Sequence, residues 1–197
     1  MAENLPSTQQ LLTAQDVTNT VRRLAFQILE RHPTLEVVFV GIHTRGVVLA
    51  NRVAAVLSGE VEAAQSAQSA QAAQSVQMGT LDISFHRDDL DQLKDLPVIE
   101  STDIPFDLAG ANVILFDDVI FTGRTIRSAI DCLMDFGRPA RIELAVLVDR
   151  GNRELPIQPD YWGLSRETSP TDYVKLKFNE TDGEDGLYLS DRKEAAK

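Results

Sequence analysis

The stretch Val113-Ile114-Leu115-Phe116-Asp117-Asp118-Val119-Ile120-Phe121-Thr122-Gly123-Arg124-Thr125 constrains the fold more than any other part of the chain. Its four leading apolar residues read as a strand buried on both faces, as in a parallel sheet. The run ends on two adjacent carboxylates, which are costly to bury without partners. Asp117 to Arg124 reads as a polar loop. Thr125 to Phe136 reads as a helix, with Gly137 as its stop and Pro139 beyond. Backbone N–H groups at a helix start, a glycine that permits close approach and two hydroxyls make a cradle for a phosphate. Two carboxylates just before it suit a diol or a hydrated Mg²⁺. A phosphate and a diol held side by side describe a ribose 5-phosphate. An acid pair alone also fits a receiver-type Mg²⁺ site or a chance loop. The complete pattern between strand and helix favours the sugar phosphate.

The rest of the chain repeats the strand–loop–helix theme. Val17, Val21, Leu24, Ile28 and Leu29 recur at helical spacing over residues 15–32, and Pro33 closes that helix. Glu36 to Ile42 is a buried strand, His43-Thr44-Arg45-Gly46 a tight loop, and Val47 to Leu57 helical. Residues 63–77, AAQSAQSAQAAQSVQ, form a low-complexity insertion with no continuous apolar face. Leu81, Ile83 and Phe85 alternate with polar neighbours as a strand does. His86 to Pro97 is a charged loop. Arg141 to Val148, Asp160 to Gly163 and Tyr173 to Phe178 complete the strand candidates. A mostly parallel α/β sheet results, whose ligands belong at the C-terminal strand ends, where the loops after residues 42, 116 and 148 lie.

With 197 residues, one domain over 1–197 is expected, ending in an acidic tail at 179–197. No apolar run approaches the length of a membrane span, and no secretory leader is visible, so a cytoplasmic protein without membrane attachment is expected. The single cysteine, Cys132, allows no internal disulfide and reads as a small buried residue rather than a nucleophile. His32, His43 and His86 lack metal-ligand spacing and read as loop or surface residues. A net charge of −11 argues against a general nucleic-acid binder. A local basic face built from Arg22, Arg23, Arg31, Arg138, Arg141 and Arg153 stays open.

The thirteen residues from Val113 resemble, without gaps, the fingerprint of type I phosphoribosyltransferases: four hydrophobics, two acids, Thr-Gly-x-Thr. Val40 to Gly46 looks like that fold's pyrophosphate loop, which often holds a cis peptide. Asp82 to Leu90 looks like its mobile lid. Gly137-Arg138-Pro139, with Leu144 through the string Val148-Asp149-Arg150-Gly151-Asn152-Arg153-Glu154-Leu155-Pro156-Ile157, resembles one branch, the pyrimidine-operon attenuation regulators that are also uracil phosphoribosyltransferases. The resemblance runs from about residue 11 to about 178. It implies an α/β type I phosphoribosyltransferase fold: a mostly parallel central sheet flanked by helices, with a small hood from the terminal segments.

The resemblance also implies the chemistry. Uracil N1 displaces pyrophosphate from the sugar of phosphoribosyl pyrophosphate, giving UMP. Asp117 and Asp118 are implied to hold the ribose hydroxyls, within a binding segment made of Asp117, Asp118, Val119, Ile120, Phe121, Thr122, Gly123, Arg124 and Thr125. Thr122 to Thr125 take the 5′-phosphate. Thr44 and Arg45 hold pyrophosphate, with Mg²⁺ bridging its oxygens and no dedicated protein metal site. Arg87 arrives from the lid, and Arg150 with the backbone near Val174 forms the uracil and UMP end. A homodimer or higher homo-oligomer is expected. The branch's second task is UMP-responsive binding of a pyrimidine-operon mRNA, for which this chain is weaker: Asn152, Gln158 and Leu164 stand at positions that tend to be basic, and Phe26 where a histidine is familiar. The enzyme reading therefore ranks first and the RNA regulator second. A non-catalytic sensor of phosphoribosyl pyrophosphate is the third.

Overall fold

The computed structural model describes residues 8–67, 76–84 and 101–191. A five-stranded sheet in the order β3-β2-β4-β5-β6 forms its centre, from β2 (Val38–Ile42), β3 (Gln77–Leu81), β4 (Asn112–Ile120), β5 (Arg141–Asp149) and β6 (Tyr161–Ser165). Every neighbouring pair is parallel, as continuous apolar strands buried on both faces require. Helices α1 (Ala14–Arg31) and α2 (Arg45–Ala67) cover one face and α3 (Arg124–Asp135) the other. Phe39 and Phe116 meet under the first two, with ring centroids 4.7 Å apart. Ile126, Ala129 and Leu133 of α3 pack on Leu115 and Val146 beneath the other face.

Helix α1 begins where its chemistry dictates. Thr13 and Asp16 form a reciprocal capping box, each side chain reaching the other's backbone N–H. A second, antiparallel sheet in the order β1-β8-β7 is built from β1 (Gln9–Leu12), β7 (Asp172–Lys177) and β8 (Gly186–Asp191), with the short α4 (Asn179–Asp182) between the last two. Leu176, Phe178 and Leu187 join the α1/α2 core, so this hood is fastened to the central domain.

Four sequence readings change. The loop expected at Asp117 to Arg124 starts later, because β4 keeps pairing with β5 through Ile120↔Asp149. The acid pair therefore lies inside the strand. The strand read from Leu81 onward ends where it was expected to begin, since β3 pairs with β2 from Gln77 to Leu81; Phe85 lies outside the described residues. Helix α2 runs to Ala67, so the first five residues of the alanine–glutamine insertion continue it, while Gln77 already belongs to β3; residues 68–75 lie outside the described residues. The stretch read as an acidic tail supplies α4 and β8 up to Asp191. Among the described residues, no helix is long and apolar enough to cross a membrane.

Candidate active site

The C-terminal ends of β2, β3 and β4 enclose a cleft of about 320 Å³ lined by Ile42, His43, Thr44, Asp82, Ile83, Ser84, Asp117, Asp118, Val119 and Thr125. Three sequence elements far apart in the chain meet here. The loop after β2 contributes Thr44, which follows a cis peptide at His43–Thr44. His43 N donates to Leu81 O at 2.9 Å, which carries the β2–β3 pairing past the strand end into the loop. Gly46 lets α2 start against β4: a Cβ there would come within 2.3 Å of Phe116 O, so any side chain would push the loop away from the acid pair.

Asp117 is only 7% exposed. Its Oδ1 accepts from Asp118 N at 2.9 Å, and Asp118 Oδ1 accepts from Val119 N at 2.8 Å. Burial, and after it the neighbouring Asp118 charge, pushes the Asp117 carboxyl well above the ordinary range. Burial also raises Asp118, opposed by the Val119 N–H and the Arg45 charge. An acid pair with that little internal compensation is poised for an external partner carrying hydroxyls or positive charge.

Gly123 caps α3 in the left-handed region, at φ 91°, which no β-carbon residue adopts comfortably. Thr122 ahead of it is braced from behind: its carbonyl accepts from Glu154 N at 3.0 Å and Leu155 N at 3.2 Å. Arg124 Nε donates to Glu154 Oε2 at 2.7 Å. Arg153 holds the same corner, donating to Phe121 O at 2.8 Å and Ile157 O at 3.0 Å and pairing with Asp149 at 2.7 Å. The Asp149-to-Ile157 string is thus the scaffold of the Thr122–Thr125 turn. Arg153 is spent there and does not belong to a basic face.

Arg150 is 6% exposed. Its guanidinium lies 4.1 Å from the Phe121 ring centroid and donates to Thr168 Oγ1 at 2.9 Å, Ser169 O at 2.8 Å and Asp172 O at 3.0 Å. It ties the β6–β7 loop to the end of β4, rather than pairing with Asp149 or Glu154. Val174 stands in β7 opposite Leu189 of the hood. Asn152 takes φ 58°, a left-handed position that asparagine tolerates, and its Nδ2 donates to Thr168 O at 2.8 Å.

The structure brings Thr44, Asp117, Asp118, Val119 and Thr125 into one cleft, with Arg45 beside it and Arg150 behind Phe121. Arg87 lies outside the described residues. Sequence reasoning missed Asp82 as a cleft residue in its own right; its Oδ1 accepts from Ser84 N at 2.7 Å. It also missed Asp182 and Arg52. Asp182 grips Arg45 with both oxygens, and Arg52 pairs with Glu180 and Asp185. The run Asn179-Glu-Thr-Asp-Gly-Glu-Asp carried that signal, but acidity alone reads as a solvated tail. His32 is no bystander either: its Nε2 lies 2.7 Å from Glu143 Oε2, which also accepts from the Tyr161 hydroxyl at 2.6 Å.

Residues 7–178 match the model of the phosphoribosyl transferase domain family. The chain is 47% identical over 182 residues to the protein named Bifunctional protein PyrR of Deinococcus deserti, covering 92% of this chain and 93% of that one. The chain belongs to the phosphoribosyltransferase family, and within it to the PyrR group. The PyrR of Thermus thermophilus is 44% identical over 187 residues, covering 94% and 97%. Among solved structures, a Bacillus anthracis hypoxanthine-guanine phosphoribosyltransferase superposes with a TM-score of 0.66 at 17% identity, over 92% of this chain and 97% of that one. A Trypanosoma cruzi hypoxanthine phosphoribosyltransferase gives 0.68 at 16%, over 100% and 96%. At such identities these structures establish the type I phosphoribosyltransferase fold and leave the base open.

Proposed function

We propose that the protein transfers the phosphoribosyl group of phosphoribosyl pyrophosphate to uracil, forming UMP and pyrophosphate. The observation that carries this is the buried acid pair of β4 standing between the His43–Arg45 loop and the Thr122–Thr125 turn. Those three elements match, in order, a diol, a diphosphate and a monophosphate. Asp117 and Asp118 hold the ribose hydroxyls. The backbone and hydroxyls of Thr122, Gly123, Arg124 and Thr125 hold the 5′-phosphate at the α3 N-terminus, where the helix dipole favours an anion. Thr44 and Arg45 hold the departing pyrophosphate.

The bond from the sugar C1 to pyrophosphate breaks as uracil N1 approaches, and positive charge builds on the ribose. The acid pair sits where that charge develops, so it stabilises the transition state more than the ground state. Arg45, and Arg87 from the following segment, neutralise the leaving group. Mg²⁺ would be held mainly by the substrate's diphosphate, with Asp117 and Asp118 nearby as hard oxygens of the kind it prefers, and it would offset charge on the leaving pyrophosphate. Among the described residues, no group of three or more metal-ligating side chains is placed to hold an ion unaided. Arg150, stacked on Phe121 and holding the 168–172 loop, acts at the base end together with the backbone near Val174. Reading uracil against cytosine requires a donor to O4 and an acceptor for N3–H, roles that backbone N–H and C=O groups can fill.

The test is a uracil-to-UMP assay with phosphoribosyl pyrophosphate and Mg²⁺. Formation of UMP is expected, and its absence at micromolar enzyme refutes the reading. A second reading, UMP-responsive binding of a pyrimidine-operon mRNA, is favoured by the near full-length similarity to proteins named bifunctional. The two are compatible.

A further inference from the structure

Arg45 opens α2 immediately after the His43–Thr44 cis peptide, in the loop assigned above to pyrophosphate. Its guanidinium is held from outside that loop. Asp182, at the end of α4 in the hood, accepts from Arg45 Nη2 at 2.7 Å and from Arg45 Nε at 3.1 Å. The carboxylate is itself fixed: Thr181 Oγ1 donates to its Oδ2 at 2.7 Å and Phe178 N at 3.1 Å, while Lys175 Nζ stands 3.9 Å from its Oδ1. A carboxylate with this many ties to its own turn is a rigid mount. A two-point grip on a planar guanidinium sets its orientation as well as its place.

Seven residues along the same helix, Arg52 pairs with Glu180 and Asp185 and lies 4.6 Å from the centre of the Phe178 ring. That second clamp already fastens the α4 turn to α2. Asp182 is therefore not needed merely to dock the hood. Arg45 differs from Arg52 in another respect: its charge reaches Asp118 of the acid pair. Among the described residues its Nη1 corner carries no hydrogen bond.

We propose that Asp182 is a positioning residue for the pyrophosphate end of the reaction: from the hood it holds one edge of the Arg45 guanidinium, so that the other edge is presented, already oriented, to the departing pyrophosphate. A free arginine would have to lose its rotamer freedom on each binding event, whereas one already mounted has lost it on folding. The proposal rests on the assignment of the His43–Arg45 loop to pyrophosphate. It also makes the hood, which carries Val174, assigned above to the base end, a structural partner of the leaving-group end.

The experiment measures the affinity for pyrophosphate with Mg²⁺ by calorimetry, independently of any base, alongside the KM for each substrate. Asp182→Asn should weaken pyrophosphate binding and raise the KM for phosphoribosyl pyrophosphate about fivefold to twentyfold, with the uracil KM within about twofold. Asp182→Glu, which keeps the charge, should recover part of that loss and serves should the amide variant fold poorly. Glu180→Gln should lower the melting temperature without altering pyrophosphate affinity. In a background of Arg45→Ala, Asp182→Asn should add nothing, because it acts through that side chain. The proposal is overturned by wild-type pyrophosphate affinity in Asp182→Asn, by an equal loss in Glu180→Gln, or by a full additional loss on the Arg45→Ala background. A wild-type protein that binds pyrophosphate in this Asp182-dependent way yet makes no UMP would sink the uracil reading and leave this one standing. A wild-type protein that does not bind pyrophosphate would sink both.

Discussion

Replacing both carboxylates of β4, Asp117→Asn with Asp118→Asn, should damage turnover and strengthen the fold, and the two effects have separate magnitudes. A hydrogen bond from a hydroxyl to a charged acceptor contributes roughly 1.5–3 kcal/mol. Losing two of them from the transition state costs about 3–6 kcal/mol, or about 10²- to 10⁴-fold in kcat/KM. For stability the sign is opposite. Asp117 is nearly sequestered, and among the described residues the backbone N–H that it accepts is that of the adjoining Asp118, so its charge is disfavoured by burial and by Asp118. A folded-state pKa above the unfolded value means that the native chain binds more protons in the interval between the two. The contribution is fully present below the unfolded value of about 4 and is lost as pH rises through the folded one. The Asn pair removes that loss while keeping the Oδ1 acceptors. Relief of about 1–2 kcal/mol would raise the melting temperature by about 2–8 °C at pH 8, with the gap closing towards pH 4. Calorimetric melting across pH 4–8, beside steady-state kinetics, checks both. A double variant that turns over normally, or that melts below the wild type at pH 8, refutes the reasoning.

Other perturbations probe other parts. Burial works to raise the Glu143 carboxyl, but the Tyr161 hydroxyl, His32 and Arg31 outweigh it and hold the group below its usual range; Glu143→Gln should therefore cost about 2–4 kcal/mol in urea unfolding at pH 7, shrinking as the pH falls below about 4. Replacing residues 68–75 by a glycine–serine segment of equal length should leave turnover and melting temperature within about 1 °C, since α2 and β3 stay intact on either side. A fall of several degrees would assign the alanine–glutamine segment a packing role. In competition assays uracil should be used in preference to cytosine, guanine and hypoxanthine; better turnover of a purine would remove the base assignment. Gel shifts with a pyrimidine leader RNA and UMP at two salt concentrations should show weak binding with a shallow salt slope, because Arg23, Arg31, Arg141 and Arg153 are already engaged within the protein. Nanomolar, UMP-dependent binding would overturn that and put the regulator first.

The sequence made the central sheet and the cleft legible for one reason: residues 113–125 combine a buried run, an acid pair and a phosphate turn, each with its own physical signature. The boundaries were less legible. Asp117 and Asp118 look like loop residues because carboxylates rarely sit in a paired strand, yet the β5 partner extends past them to Asp149. The hood was invisible as a structure beyond residue 178. Gly186 to Asp191 has no decisive alternation, and the acidity of the 179–185 turn before it reads as solvation until Arg45 and Arg52 appear opposite. Arg150 stands out in its string, but its stacking on Phe121 and grip on the 168–172 loop depend on segments about twenty to thirty residues away, which local patterns do not reveal. His32 carries no local signal, having no metal spacing; its partner Glu143 lies more than a hundred residues on, in β5.

The lengths of the strands connect the fold to the chemistry. β2, β3 and β6 have five residues each, while β4 and β5 have nine. The two long central strands start level, at Asn112↔Arg141, and run on together to Ile120↔Asp149, past the last residues at which β2 still pairs with β4. Asp117 lies one residue beyond that β2 pairing, so the carboxylates emerge into the cleft on a backbone still held by the β5 ladder on its other side. A loop would satisfy their backbone more cheaply but would not fix their direction. The strand holds the pair rigid, and its cost is the burial that raises both carboxyls. On the assignment proposed above, a ligand that supplies hydroxyls and positive charge at that spot relieves the burial penalty, so the group that costs the fold stability is also the one that would select the substrate.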